Sequence, residues 1–360
     1  MQVNQIVVSA APGDAVTNSA IEFRRLLRRI GPSEIFAQHV DPALAGDVHE
    51  LPWFHQLDRG ARRPTDDLII FHGSIGAPEV FSFVMGRPER VVLMYHNVSP
   101  APAFHPYDPA FAGLLESGRR DIARMANKVS MALAPSAYNA FELVAMGYRD
   151  VRLSPLVVDA EHLRSLEPDA ATVAELAAID GPVLLYVGQL LPHKAPERLV
   201  QAFHVLSTYL QPEASLLLVG ASRSAPYRRR FDTYTRDLNL PGLRVIGSVT
   251  DEQLAAYFRR ADVFVTASSH EGFCVPLVEA MAFGVPVVAR ACGAIPETLD
   301  GAGLAVPGDA GPLLFAEAVH EVLTNGTLRD DLVRRGQGRL DHFRPGSARS
   351  TFLRHILSVA

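Results

Sequence analysis

The feature that most restricts the fold is a rhythm that occurs twice. Short apolar runs of strand length alternate with longer helical patterns. The first series of runs is Gln5–Ser9, Glu34–His39, Leu68–His72, Val91–Tyr95, Met131–Ala134 and Val151–Leu153. The second is Val183–Val187, Ser215–Val219, Arg244–Ile246, Val263–Thr266, Val285–Ala289 and Leu304–Val306. Helical patterns fall between them at Ala20–Arg29, Glu116–Lys128, Ala195–Leu206, Asp251–Arg260 and Pro276–Ala282. Strands that are apolar throughout, with a helix after each, belong to parallel sheets covered on both faces. A weaker stretch, Asp159–Asp180, ends in AAIDGP and separates the series, so the boundary is placed near Pro155–Gly181. A chain of 360 residues has room for two such α/β domains, each doubly wound. In folds of this kind ligands bind beyond the carboxyl ends of the strands, here in a cleft between the domains.

Composition narrows the function. Hydrophobic residues make up 48% of the chain, enough for real cores. A net charge of -5 speaks against nucleic acid as a partner. The two cysteines, Cys274 and Cys292, form no disulfide framework and fit a reduced, cytoplasmic setting. The N-terminus, MQVNQIVVSAAPGD, reads as a buried strand rather than a signal peptide, and no run is long and apolar enough to span a membrane. No metal-ligand spacing occurs: HPYD at 105–108 reads as a turn, and Asp66-Asp67 as a turn or cap.

One stretch carries most of the chemistry: SHEGFCVPLVEAMAFGVPVVARACGAIPE, Ser269–Glu297. VFVTASS ends a strand, HEGFC follows as a loop, and Pro276 opens a helix that Gly284 stops. Glu271 therefore lies on the loop and Glu279 within the helix. Gly272, Phe273, Cys274 and Val275 wrap a turn whose N–H groups lead into the helix N-terminus, the geometry of an anion site. Gly293-Ala294-Ile295 is expected to repeat those exposed N–H groups after the next strand. Two such loops side by side suit a diphosphate and a sugar, although ordinary strand–loop–helix junctions share these features.

The ordered set of motifs resembles the retaining glycosyltransferases of the GT-B fold, the large class called family 4 or glycosyl transferases group 1. Glu271 and Glu279, with GF after the first and EAMAFGVPVVA around the second, match its E-x7-E signature. Gly13-Asp14-Ala15, YHNVSP at 95–100, LAPSAYNAFEL at 133–143, GQLLPHK at 188–194 and GSVTDEQLAAYFRRADVFVTASSHEGF at 247–273 extend the likeness across the chain. The resemblance implies two Rossmann-like domains: an acceptor domain at 1–158 and a nucleotide-sugar domain at 159–342. A last helix at 343–360 packs back on the first domain.

It also implies roles. Glu279 accepts hydrogen bonds from the ribose hydroxyls, and Glu271 contacts the transferred sugar. Lys194 faces the diphosphate, where the family's preceding Arg is replaced here by Gln189; Arg290 and Arg223 are substitute cations. His96 sits beside the transferred sugar or the acceptor, with His72 lining the same cleft. Gly13 lets the backbone close on a phosphate or sugar. Asp14 either meets an acceptor hydroxyl or caps the helix starting near Ala20. Backbone groups after Ile246 hold the base, and Gly272, Phe273, Cys274 and Val275 the donor phosphates.

The expected reaction is transfer of a sugar, mannose among the candidates, from a GDP- or UDP-sugar to a hydroxyl of a glycan, lipid-linked or small-molecule acceptor, with no metal or other cofactor. The likeness tilts towards bacterial polysaccharide enzymes. The alternatives are a non-catalytic nucleotide-sugar-binding subunit, or a GT-B phosphorylase or sugar-phosphate synthase. Arg119, Arg120, Arg124 and Lys128 suit either peripheral contact with anionic headgroups at the inner face of the plasma membrane or a solvated helix.

Overall fold

The computed structural model describes every residue except Arg59, Ala61, Arg223 and Ala360. By contacts the chain divides into two compact units. The first holds Met1–Pro102, Ala110–Val157 and Pro345–Ala360; the second holds Ala103–Pro109 and Val158–Arg344.

The first unit is built on strands β1 (Val3–Ala10), β2 (Ile35–Val40), β3 (His49–Glu50), β4 (Leu68–Gly73), β5 (Arg90–Tyr95), β6 (Val129–Ala134) and β7 (Val151–Leu153). They lie in the order β3-β2-β1-β4-β5-β6-β7, and every neighbouring pair is parallel. The second unit carries β8 (Val183–Val187), β9 (Ser215–Val219), β10 (Leu243–Gly247), β11 (Val263–Thr266), β12 (Val287–Arg290) and β13 (Leu304–Val306). Their order is β10-β9-β8-β11-β12-β13, again all parallel. Central strands buried on both faces explain the unbroken apolar runs: every residue of β4, β9 and β11 is buried. In each sheet the strand order reverses once, between β1 and β4 and between β8 and β11. Loops leaving the carboxyl ends of those strands diverge there and leave a crevice.

The first helix, Ala15–Leu27, begins five residues before the expected start. Asp14 is its N-cap and accepts from Thr17 N at 3.0 Å and Thr17 Oγ1 at 3.1 Å. Asp159–Asp180 is not an unstructured linker. It holds the helices Ala160–Ser165 and Ala170–Ala177, capped by Asp159 and Asp169, and their Leu163 and Leu176 join a core of the second unit. Strand β12 starts at Val287 rather than Val285, because Val285 closes the preceding helix. Its N–H bonds Ala280 O at 2.9 Å and Gly284 N bonds Met281 O at 3.0 Å, with Gly284 at φ +70°, the pattern of a Schellman stop.

The helix Pro345–Ser358 belongs to the first unit. Its Phe352 stacks on Phe23 of the first helix, with ring centroids 3.9 Å apart, and Arg349 Nε pairs with Glu22 at 2.8 Å. The short segment Ala103–Pro109 belongs to the second unit. There Phe104 lies 5.5 Å from the His193 ring and Tyr107 stands edge-on to Tyr227 at 4.9 Å.

Among the described residues no helix is long and apolar enough to cross a membrane. The basic residues of the helix Pro109–Arg124 are engaged locally: Arg119 with Glu142, Arg120 with Glu116 and Arg124 with Asp121, while Lys128 donates to Arg87 O.

Candidate functional site

In the second unit the reversal of strand order places the loop after β8 beside the loop after β11. Ser269 fastens one to the other. Its N–H and its hydroxyl both donate to His193 O, at 2.8 and 2.9 Å. Lys194 is thereby held next to Glu271, 77 residues away in sequence, and Nζ lies 2.8 Å from both carboxylate oxygens. Ser268 Oγ donates to Glu271 Oε1 at 2.7 Å. Glu271 is 5% exposed, and the Lys194 side chain is 24% exposed.

Simple valence shows what this pair has left to offer. An ammonium has three hydrogens, and Glu271 takes two. Among the described residues Oε1 accepts twice, whereas Oε2 accepts only from Lys194. One donor on Lys194 and one acceptor site on Oε2 therefore remain. Burial alone would lower the Lys194 ammonium, but the adjoining Glu271 carboxylate outweighs it and holds the pKa above its usual value. The lysine is fully charged at neutral pH.

Backbone shape secures the pair. Cys274, at φ 73°, turns the loop in the left-handed region and opens the helix Val275–Ala282 with no side-chain cap on its N-terminal N–H groups. Gly293, at φ 50°, approaches so closely that an added Cβ would sit 2.2 Å from Glu271 O. The expectation that Gly293-Ala294-Ile295 exposes its N–H groups is corrected: Ala294 N donates to Glu271 O at 2.9 Å and Ile295 N to Cys292 O at 3.0 Å. Those groups fasten the loop. Both cysteines are held as neutral thiols, Cys274 pushed up by burial and then by Glu271, and Cys292 raised the same way to about 12.

The other expected donor-side residues lie on several elements of the second unit. Gln189 leaves β8 half-buried, and its carbonyl accepts from Tyr186 Oη at 3.1 Å. Phe273 O accepts from Thr298 Oγ1 at 2.8 Å. Ile246 lies on β10, an edge strand separated from β8 by β9. Gly272 and Val275 stay in the loop and helix start where the sequence put them. Glu279 sits in the helix Val275–Ala282, and no hydrogen bond from a described residue reaches its carboxylate. Burial, and after it the charge of Asp251, raise its pKa to about 7. Among the described residues Glu279 shares no partner with Glu271, which is held by Lys194 and Ser268, so the two glutamates of the motif are separate devices. Of the substitute cations, Arg290 donates through Nε and Nη2 to Gly308 O, and Arg223 lies outside the described residues.

The first unit has its own cluster at the reversal between β1 and β4. His96 follows β5, and its ring meets His72 edge to edge, the two planes 14° apart and the centroids 5.0 Å apart. His72 Nδ1 is 2.8 Å from His96 Nε2, and His72 Nε2 is 2.9 Å from Gln5 Oε1. His72 is wholly buried, which corrects its expected place on the cleft wall: it stands behind His96. Asn97, at φ 69°, makes the left-handed turn after His96, and its side chain donates to Asn139 Oδ1 at 2.9 Å. Gly13 has φ +71° with open space where a Cβ would be. Its requirement is conformational rather than steric. Gln5 and Ser268 escaped the sequence reading, although a glutamine inside the apolar run VNQIVV was a visible signal.

Residues 172–339 match the family described as glycosyl transferases group 1. The chain resembles this family over that span, which is just under half of its length. It is 26% identical over 269 residues to the O-antigen chain mannosyltransferase B of Escherichia coli, covering 71% of this chain and 67% of that protein. It is 32% identical over 217 residues to a D-inositol 3-phosphate glycosyltransferase of Geodermatophilus obscurus, covering 57% of this chain. The chain spans only 48% of that relative's length. Anabaena HepE, solved in complex with UDP-glucose, superposes with a TM-score of 0.77 at 16% identity, covering 99% of this chain and 100% of its own. Such a likeness speaks to the fold. The two parallel doubly wound sheets of this chain are those of the GT-B fold.

Proposed function

We propose that the chain is a retaining glycosyltransferase that moves a sugar from a GDP- or UDP-sugar to a hydroxyl of a glycan, lipid-linked or small-molecule acceptor. A mannose-type donor is the first candidate, since a mannosyltransferase is among the relatives. The observation that carries the reading is the Lys194–Glu271 pair at the strand reversal of the second unit, with one donor and one acceptor site to spare. The spare Lys194 hydrogen goes to the diphosphate, joined by the uncapped N–H groups of the helix Val275–Ala282. Oε2 of Glu271 accepts from a hydroxyl of the transferred sugar. Glu279 accepts from the vicinal ribose hydroxyls, Gln189 donates without charge, and the backbone beyond Ile246 meets the base. His96, with the turn at Gly13, serves the acceptor side.

In the reaction the bond from the anomeric carbon to the phosphate oxygen breaks as a bond to the acceptor oxygen forms on the same face. The acceptor proton passes to the departing phosphate. The protein supplies orientation and preorganised charge. Because Glu271 already balances Lys194, the pair brings a directed hydrogen bond rather than net positive charge.

The test is a thermal-shift screen with UDP-, GDP-, ADP- and dTDP-sugars, followed by product analysis. One donor class should raise the melting temperature, because a ligand bound to the native state stabilises it. The one-bond carbon–proton coupling at the new anomeric centre should show an α product from an α donor. No shift with any donor, or a β product, refutes the reading.

A further inference from the structure

Gln5, in the middle of β1, has no part in the reaction proposed above, yet it determines what His96 can do. Gln5 is fully buried, and its amide nitrogen donates to Ala20 O at 2.9 Å. A backbone carbonyl can only accept, so the amide nitrogen must face it and Oε1 must face His72. Oε1 is 2.9 Å from His72 Nε2, so that nitrogen bears the proton. In a neutral ring the other nitrogen, Nδ1, then carries a lone pair. It lies 2.8 Å from His96 Nε2, which must therefore donate. The remaining nitrogen of His96, Nδ1, is left with a lone pair and has no hydrogen-bond partner among the described residues. Each step follows from the one before, and the first is a carbonyl with no alternative state.

Both rings remain neutral under ordinary conditions. Burial, and after it His96, hold His72 well below its usual value. Burial lowers His96 to about 4 against the opposing pull of Asp14, the other ionisable group that acts on it.

We propose that Gln5 and His72 are positioning residues that lock His96 in the Nε2–H tautomer, so that His96 Nδ1 receives a hydrogen bond from a substrate hydroxyl. The proposal rests on the acceptor-side role given to His96. The site then selects a group that can donate, and an O-methyl or deoxy analogue at that hydroxyl loses the bond. His96 orients the hydroxyl while the proton itself leaves towards the phosphate.

The experiment is long-range proton–nitrogen correlation NMR of the imidazoles in the full-length, nitrogen-15-labelled chain near pH 7. Signals are assigned among the 13 histidines by comparison with His72→Gln and His96→Gln. The wild type should show His72 and His96 both as Nε2–H tautomers. Gln5→Met removes the anchor. His96 should then become a mixture of tautomers, and kcat should fall about tenfold or more with little change in KM for the donor. Gln5→Glu should restore the single tautomer, because a buried neutral carboxyl can donate to Ala20 O and accept from His72. An Nδ1–H tautomer of His96 in the wild type overturns the proposal without any variant having to fold. A Gln5→Met protein with unchanged tautomers and unchanged kcat overturns it too. A wild type with the expected tautomers that binds no nucleotide sugar overturns the donor reading alone, since the nitrogen shifts do not depend on it.

Discussion

The two strand reversals of this chain sit at equivalent points of similar sheets, yet they are furnished in opposite ways. Between β1 and β4 lie two neutral imidazoles joined edge to edge, ordered by hydrogen bonds that run back to a helix carbonyl. Between β8 and β11 lie an ammonium and a carboxylate in bidentate contact. The fold decides where a site can form, and the side chains decide what it can do. A neutral lone pair on a fixed ring suits a hydroxyl, which brings a hydrogen and no charge. An ammonium with one hydrogen to spare suits an anionic oxygen such as that of a phosphate. Neutral hydrogen bonds depend on which atom carries the proton. Ion pairs depend on charge and on the exclusion of water.

The strongest way to break this contrast is to remove the charge. Lys194→Ala should lower kcat by about a hundredfold or more, the range seen when one electrostatic donor to the transition state is lost. It also leaves the buried Glu271 without its cation, so the melting temperature should fall as well. Steady-state kinetics on the identified donor, beside a melting curve, separates the two effects. Near-normal kcat would place phosphate stabilisation elsewhere in the second unit.

Glu279 sharpens the contrast from a different direction. Glu279→Ala should weaken nucleotide binding about ten- to a hundredfold, or roughly 1.5–3 kcal/mol, as read by calorimetry. Equal affinities would refute the ribose role. The raised pKa of about 7 adds a pH signature. The native carboxyl holds its proton where an unfolded one, near pKa 4.3, has lost it. The native state thus binds more protons between about pH 4.3 and 7, and this group's contribution to stability falls as pH rises through that window. Glu279→Gln should therefore melt higher than wild type at pH 8, by about 2–4 °C per kcal/mol of relief, and should lose the advantage near pH 4.

The smallest effect is expected at Gln189. Gln189→Arg restores the cation common at this place in the resembled family and should leave turnover unchanged or raise it. Loss of turnover with nucleotide binding intact would show that the amide orients the sugar.

The α/β class and the order of elements were legible because parallel strands buried on both faces must be apolar throughout. Ser215–Val219 and Val263–Thr266 are observed as read. Ends drifted where local capping chemistry decides, as at Asp14 and Val285. His49–Glu50 gave no signal, being two exposed residues at a sheet edge. The site was legible only in pieces. The resemblance pointed to Lys194 and Glu271 one by one, but their contact spans 77 residues and follows from the strand order. His72 could not be told from a wall residue, since only three dimensions show it behind His96 with Gln5 beyond.

The stacking of Phe352 on Phe23 has a consequence for how the protein is made. Synthesis runs from the amino end, and domains ordinarily fold in that order. Here the first unit's strands emerge early, but its core still lacks the helix Pro345–Ser358, which is translated after the whole of Val158–Arg344. Until then Phe23 lacks the ring that stacks on it, while His72 lies 6.3 Å away between centroids. The unit begun first is the one completed last. A polypeptide that stops short of Pro345 lacks the Phe352 ring that covers Phe23.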